Sequence, residues 1–296
     1  MEYRIEAGDR AAVVVEVGGA LRTFEVAGQE ITDGYGPGEI APSGAGQILA
    51  PWPNRIRDGR YTWAGQTYQL AQSEPAYANA IHGLVRWVPW RVADRAPDAV
   101  SFSYVSPAQP GYPWELELTT TWSVGPEGLR ARHTATNRSG TPAPFGLGAH
   151  PYVRLPGVAV DDMVLTVPGE RLLVVDGRKL PIGARPVAGT KLDFRTGRRV
   201  GATVLDTGFG PVSGGSAVRL STVDGTPTVT VWADEAFHWW QVFTGDPLAE
   251  PRRRRALAVE PMTCPPDAYR SGKDVVTLEP GRTWRGEWGI GTDGVQ

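Results

Sequence analysis

Apolar and polar residues alternate with a period of two along most of the chain, and no stretch places apolar residues at helical spacing. Leu116, Leu118, Thr120, Trp122 and Val124 fall on one face of an extended segment, with Glu115, Glu117, Thr119, Thr121 and Ser123 on the other. That pattern predicts a half-buried strand. It recurs in Val100-Phe102-Tyr104, in Leu129-Ala131-His133-Ala135 and in Trp284-Gly286-Trp288-Ile290, and further β-rich runs cover residues 11–17, 228–232, 239–244 and 256–259. Turn residues separate these runs. Ala64-Gly65 joins Tyr61-Thr62-Trp63 to residues 67–70 as a hairpin, and Asp224-Gly225 predicts another. Residues 34–46 and 211–215, rich in Gly, Pro or Ser, read as long surface loops. No repeat or low-complexity linker divides the chain, so the expectation is one domain over residues 1–296, built from two large, mostly antiparallel sheets packed face to face.

Composition agrees with an all-β reading. The 37 Gly and 26 Pro supply many turns, and 11 Trp, 9 Tyr and 7 Phe can fill a large core. A formal net charge of −2 offers no field for nucleic acid or an anionic membrane, which points to a small-molecule partner. The single cysteine, Cys264, excludes an intramolecular disulfide framework and reads as a small buried side chain. The first residues, Met1-Glu2-Tyr3-Arg4, lack the basic-then-apolar pattern of a secretory signal, and no apolar run is long enough to span a bilayer. Cytoplasm is the expected location.

Few residues are placed for chemistry. Of the four histidines, His133 lies on the apolar face of its strand and His238 precedes Trp239-Trp240, and both read as structural. His82 and His150 differ, each sitting among small residues in Asn79-Ala80-Ile81-His82-Gly83-Leu84 and Gly146-Leu147-Gly148-Ala149-His150-Pro151. Pro151 also holds residue 150 extended. For each, a functional and a structural role stand side by side. Glu260 ends the apolar run Ala256-Leu257-Ala258-Val259, where a carboxylate is expensive to desolvate unless it is paired or used. It is either a working base with a raised pKa or half of a buried salt bridge, with Arg55 as the candidate partner. Histidine spacing does not suit zinc, no glycine-flanked serine forms a nucleophile elbow, and no glycine cluster precedes a helix as a phosphate cradle. The run Arg252-Arg253-Arg254-Arg255 reads as a solvated loop rather than a convergent phosphate grip, because adjacent side chains on an extended backbone point to opposite sides.

Four separated segments together resemble the aldose 1-epimerase (galactose mutarotase) family: Pro53-Asn54-Arg55-Ile56-Arg57-Asp58-Gly59, Ile81-His82-Gly83-Leu84, Gly148-Ala149-His150-Pro151-Tyr152 and Val259-Glu260-Pro261-Met262-Thr263. The resemblance spans nearly the whole chain. It implies a galactose mutarotase-like β-supersandwich with an open cleft for the sugar, and no metal or organic cofactor. By position in the motifs, it implies His150 as general acid and Glu260 as general base, with Arg55 and His82 binding sugar oxygens near the reacting centre. Asp206, in Val204-Leu205-Asp206-Thr207-Gly208-Phe209, resembles the family's hydroxyl-binding aspartate. After the histidine the family often has an aromatic residue and then Asn, whereas Tyr152 is followed here by Val153 and Arg154. That departure bears on sugar preference more than on the reaction.

The implied reaction interconverts the α and β anomers of a free aldohexose such as glucose or galactose. One base takes the C1 hydroxyl proton while one acid protonates the ring oxygen, and positioned groups of this kind are each worth about 10²–10⁴-fold. Trp87 or Trp232 is a candidate to stack on the sugar, although core packing is the default reading for any one of the 11 tryptophans. Two alternatives remain: a hexose-6-phosphate 1-epimerase, which needs additional arginines facing the cleft and which the run Arg252-Arg253-Arg254-Arg255 keeps open, and a non-catalytic carbohydrate-binding protein. A glycoside hydrolase is disfavoured, because only Glu260 stands out where two opposed carboxylates are needed. Monomer and homodimer are equally compatible with the sequence.

Overall fold

The computed structural model describes residues 1–295 and is all-β, with one single-turn α-helix, Ala268–Ser271, among the described residues. Alternation does what the sequence predicts. Strand Leu116–Gly125 buries every second residue, including Leu116, Leu118, Thr120, Trp122 and Val124, and leaves the intervening side chains half-buried. It pairs antiparallel with Gly128–Asn137, which pairs in turn with Thr283–Asp293. These are the central strands of a nine-stranded antiparallel sheet running from Arg91–Arg95 at one edge to Arg198–Arg199 at the other. A smaller sheet of four strands, beginning with Glu2–Ala7 and Arg10–Val15, packs against it. Trp122 lies edge-on to Trp288 at 5.7 Å between ring centroids, and its indole N–H donates to the Gly19 carbonyl at 2.8 Å.

His133 is structural, as its place on the apolar face implies. The Trp288 indole N–H donates to Nε2 at 2.9 Å, so the neutral ring carries its proton on Nδ1 and donates it to the Thr120 hydroxyl, also at 2.9 Å. Burial pushes its pKa down to about 3. His238 is half-buried just before strand Trp239–Phe243.

A second large sheet has eight strands. Its main path runs Pro181–Pro186, Arg171–Val175, Asp206–Phe209, Trp239–Phe243, Leu257–Met262, Gly148–Ala149 and Ile48–Leu49, with Tyr152–Val153 also pairing to Leu257–Met262. One face carries Phe209, Trp240, Val242, Leu257 and Val259 into the same hydrophobic core that receives Trp122 and Trp288 from the nine-stranded sheet. Two large antiparallel sheets therefore share one core, the β-supersandwich arrangement. Period-two geometry then sends the alternate residues Asp206, Gln241 and Glu260 to the opposite face. No helix among the described residues is long and apolar enough to cross a membrane.

Strands Arg60–Trp63 and Gln66–Gln69 pair up to Trp63 opposite Gln66, leaving Ala64-Gly65 as a two-residue turn. Both turn residues have positive φ, 47° at Ala64 and 79° at Gly65, as a type I′ hairpin requires. A left-handed alanine is strained by about 1 kcal/mol, whereas Asn accepts this conformation. Ala64→Asn, at an exposed position, is therefore expected to stabilise the protein by about 0.5–1 kcal/mol, read as a higher urea midpoint at unchanged slope. An unchanged or lower midpoint contradicts this account of the turn.

Candidate active site

Opposite the core, the eight-stranded sheet floors an open cleft of about 500 Å³, whose lining includes Arg55, His82, His150, Asp206, Gln241 and Glu260. Glu260 lies inside strand Leu257–Met262, two residues before its end, directly across from Gln241. The sequence places it at the end of the buried run. The strand instead continues through Pro261 and Met262, and alternation turns Glu260 away from Val259 and into the cleft. Only 3% of the residue is exposed and Oε2 has no hydrogen-bond partner. Burial raises its pKa well above the ordinary carboxylate value, Asp206 raises it further, and Arg55 opposes the shift.

His150 follows Gly148–Ala149, which pairs with Ile48–Leu49 on one side and, through Gly148, with Met262 on the other. Its backbone is fixed at both ends, N–H donating to the Gln47 carbonyl and C=O accepting from Gly46 N–H. The imidazole stacks on Tyr152 with ring centroids 5.0 Å apart. A Cβ on Gly44 would sit 3.0 Å from its Cδ2, and Gly44 has φ +83°, so glycine both completes that turn and leaves room for the ring. Nε2 of His150 lies 3.4 Å from Oε1 of Glu260. The gap is longer than an ordinary hydrogen bond but short enough for one sugar oxygen to touch both groups. Burial pushes the His150 pKa down to about 4. His150 and Glu260 are thus both buried, and desolvation favours a neutral ring beside a protonated carboxyl.

His82 ends strand Asn79–Ile81 with φ 61°, a left-handed conformation unusual for a non-glycine residue. The next residue must be glycine: a Cβ at Gly83 would lie 1.9 Å from the Ala50 carbonyl oxygen. Asn54 holds His82 reciprocally, its backbone N–H donating to Nδ1 at 3.1 Å and its C=O accepting the His82 N–H at 2.8 Å. Because Nδ1 accepts, the proton of the neutral imidazole resides on Nε2. Burial, with His150 and two arginines nearby, keeps the pKa well below the usual value. The rings of His82 and His150 meet edge to face at 5.5 Å.

Arg55 does not pair with Glu260, which corrects the salt-bridge expectation. Its guanidinium instead binds Glu74 through two 2.8 Å contacts, Nε to Oε2 and Nη2 to Oε1, and Asn79 Nδ2 also donates to Glu74. Asp206 accepts from Gln241 Nε2 at 2.8 Å and pairs with Lys179 at 3.2 Å. Trp87 borders the cleft with half its surface exposed, whereas Trp232 lies on the nine-stranded sheet under the Arg130 guanidinium. The polyarginine run is exposed at Arg253 and Arg255, as a solvated loop is, and its other members are tied down. Arg252 and Arg255 pair with Asp33, and Arg254 pairs with Asp161 and Asp246. Cys264 is buried with its thiol pKa pushed up to about 12.

All five sequence-selected residues therefore line one cleft. Reasoning from sequence misses Glu74, Arg86, Lys179 and Gln241, which line it too. Gln241 carries a signal only in retrospect, through alternation with Trp240 and Val242, because the register opposite Glu260 is a tertiary fact. No group of three or more His, Cys, Asp or Glu among the described residues is arranged to hold a metal ion.

A family model described as aldose 1-epimerase matches residues 1–290. The chain is 32% identical over 282 residues to the uncharacterized protein YihR of Escherichia coli (strain K12), covering 95% of this chain and 90% of that one. In fold it is similar to a GalM/aldose epimerase homologue from C. elegans, with a TM-score of 0.88 at 20% identity over 100% of both chains. A galactose 1-epimerase from Lactobacillus acidophilus NCFM superposes with a TM-score of 0.82 at 19% identity, covering 98% of this chain and 94% of that one.

The Arg55–Glu74 pair is mostly shielded, with side-chain exposures of 14% and 16%. Removing one partner leaves an uncompensated charge at a partly buried site. Glu74→Gln is expected to lower stability by about 1–3 kcal/mol, measured by denaturant unfolding. A change below about 0.5 kcal/mol, the range of ordinary surface substitutions, would show that the pair is solvent-compensated.

Proposed function

The chain belongs to the aldose 1-epimerase family, and from that premise we propose that it is an isomerase interconverting the α and β anomers of a free aldose, with Glu260 as general base and His150 as general acid. The carrying observation is the co-burial of these two groups, 3.4 Å apart, on the floor of a sugar-sized cleft. In the ring-opening step Glu260 takes the C1 hydroxyl proton while His150 protonates the ring oxygen, and the ring C–O bond breaks to leave an aldehyde. Rotation about C1–C2 presents the other aldehyde face, and reclosure reverses both transfers.

Ring opening converts an ion pair, His150 protonated and Glu260 ionised, into a neutral pair. Both arrangements hold one proton in total. Burial favours the neutral one, so the cleft suits the open-chain state, while sugar hydroxyls and the nearby Arg55 charge offset desolvation of the ionised one. His82, with its proton on Nε2, is a fixed hydrogen-bond donor for a sugar oxygen. Arg55, its Nε and Nη2 held by Glu74, offers Nη1 to a sugar oxygen, and Asp206 accepts from a sugar hydroxyl. In this reading the chain acts as one domain, needs no cofactor for proton transfer, and meets its free sugar in the cytoplasm. The phosphorylated-sugar alternative loses its motivation from the polyarginine run, since Arg252, Arg254 and Arg255 are held by carboxylates.

Activity requires one proton on the pair, and its two apparent pKa values belong to the pair as a unit. On the acid side a second proton leaves no base. With His150 pushed down to about 4, kcat/KM is expected to hold through the mildly acidic range and fall only as pH approaches that value. On the alkaline side the last proton leaves from Glu260, whose raised pKa moves that limb well above the ordinary carboxylate range. Polarimetry of freshly dissolved α-D-glucose and α-D-galactose across pH measures the profile. Glu260→Gln and His150→Asn, checked for folding by circular dichroism, are each expected to lose about 10²–10⁴-fold in rate. Wild-type rates in either variant would remove that residue from the mechanism, and sugar binding without anomer exchange by the wild type would favour a binding protein.

A further inference from the structure

Three cationic side chains line the cleft, and two are neutralised: Arg55 by Glu74 and Lys179 by Asp206. Arg86 is not. Its Nη1 reaches only the neutral amide oxygen of Gln47 at 3.3 Å, its Nη2 only the Ile81 carbonyl at 3.4 Å, and its buried Nε has no partner. No carboxylate pairs with it among the described residues. Gln47 Nε2 also donates to the Arg86 carbonyl at 3.2 Å, and the guanidinium lies 5.6 Å from the ring of Trp87. The side chain is thus held from several sides by neutral groups.

A guanidinium half-withdrawn from water without a counter-ion is unfavourable unless a ligand completes it. Its long contacts to neutral oxygens leave donor capacity free. It also stands close enough to influence His82 and His150 electrostatically, so an anion on Arg86 can belong to the same molecule that reaches the reacting pair.

We propose that Arg86, steadied by Gln47 and Trp87, forms a subsite for an anionic substituent, so that the preferred substrate is an aldose carrying one negative charge. This rests on the mutarotase reading and names its substrate class. With a single uncompensated cation in the cleft, the charge balance suits a monoanionic oxygen group better than a phosphate dianion. Arginine's planar fork matches two oxygens of such a group.

The test compares anomer exchange of D-glucose, D-glucuronate and D-glucose 6-phosphate by NMR for wild type, Arg86→Gln and Arg86→Lys. Expected for the wild type is a kcat/KM for glucuronate roughly tenfold or more above that for glucose. That advantage should shrink as NaCl rises from about 20 to about 500 mM. Arg86→Gln should cut the glucuronate-to-glucose ratio by roughly tenfold, mainly through KM for glucuronate, and Arg86→Lys should restore part of it. Glucuronate no better than glucose, a ratio that Arg86→Gln leaves unchanged, or preference for glucose 6-phosphate would overturn the proposal while leaving the mutarotase reading intact. If no sugar is exchanged, calorimetry separates the two ideas. Salt-sensitive glucuronate binding that is lost in Arg86→Gln would support the subsite and defeat the mutarotase reading, and no binding would defeat both. Should Arg86→Gln fail to fold, Arg86→Lys and the wild-type salt dependence decide.

Discussion

Desolvation of Glu260 is the constraint around which the site is organised. A carboxyl that is 3% exposed on a β-sheet is tolerated only if it is protonated, paired or used, and its surroundings leave all three open. His150 approaches to 3.4 Å without closing a normal hydrogen bond, Asp206 raises its pKa, and Arg55 opposes that shift from a distance. The result is a buried pair in which desolvation places the shared proton on Glu260 and leaves the His150 ring neutral. In the proposed reaction, sugar hydroxyls offset that preference when His150 is protonated and Glu260 ionised.

The eight-stranded sheet divides structural and chemical roles between its faces. Trp240, Val242, Leu257 and Val259 anchor it to the core, and the alternate residues Gln241 and Glu260 face the cleft. The rigidity of the core side thereby becomes positional accuracy on the cleft side. Around this floor, carboxylate–arginine pairs set the walls. Glu74 fixes Arg55, while Asp33 and Asp246 tie the 252–255 segment to neighbouring loops.

Loop conformation matters as much as strand alternation. His82 reaches the cleft through a left-handed turn that continues into Gly83, which passes too close to Ala50 for any side chain. The same turn lets Asn54 satisfy the ring's inner nitrogen, which fixes the tautomer as well as the direction of the outer one. Gly44 likewise leaves space beside His150 that a methyl group would press against.

The sequence alone determined the β architecture, because a period of two over segments such as residues 116–124 permits only one side of a sheet to be buried. It also singled out His82, His150 and Glu260, since small neighbours around a histidine and a carboxylate in an apolar run are local features, while likeness to the family's motifs added Arg55 and Asp206. Only the tertiary structure decided the partners. That Arg55 takes Glu74 rather than Glu260, that the 252–255 arginines meet Asp33, Asp161 and Asp246, and that Gln241 lies opposite Glu260 all depend on strand register and on loops distant in sequence. Charges act through space over a few ångströms, and the order of residues along a chain does not record which of them the fold will bring that close.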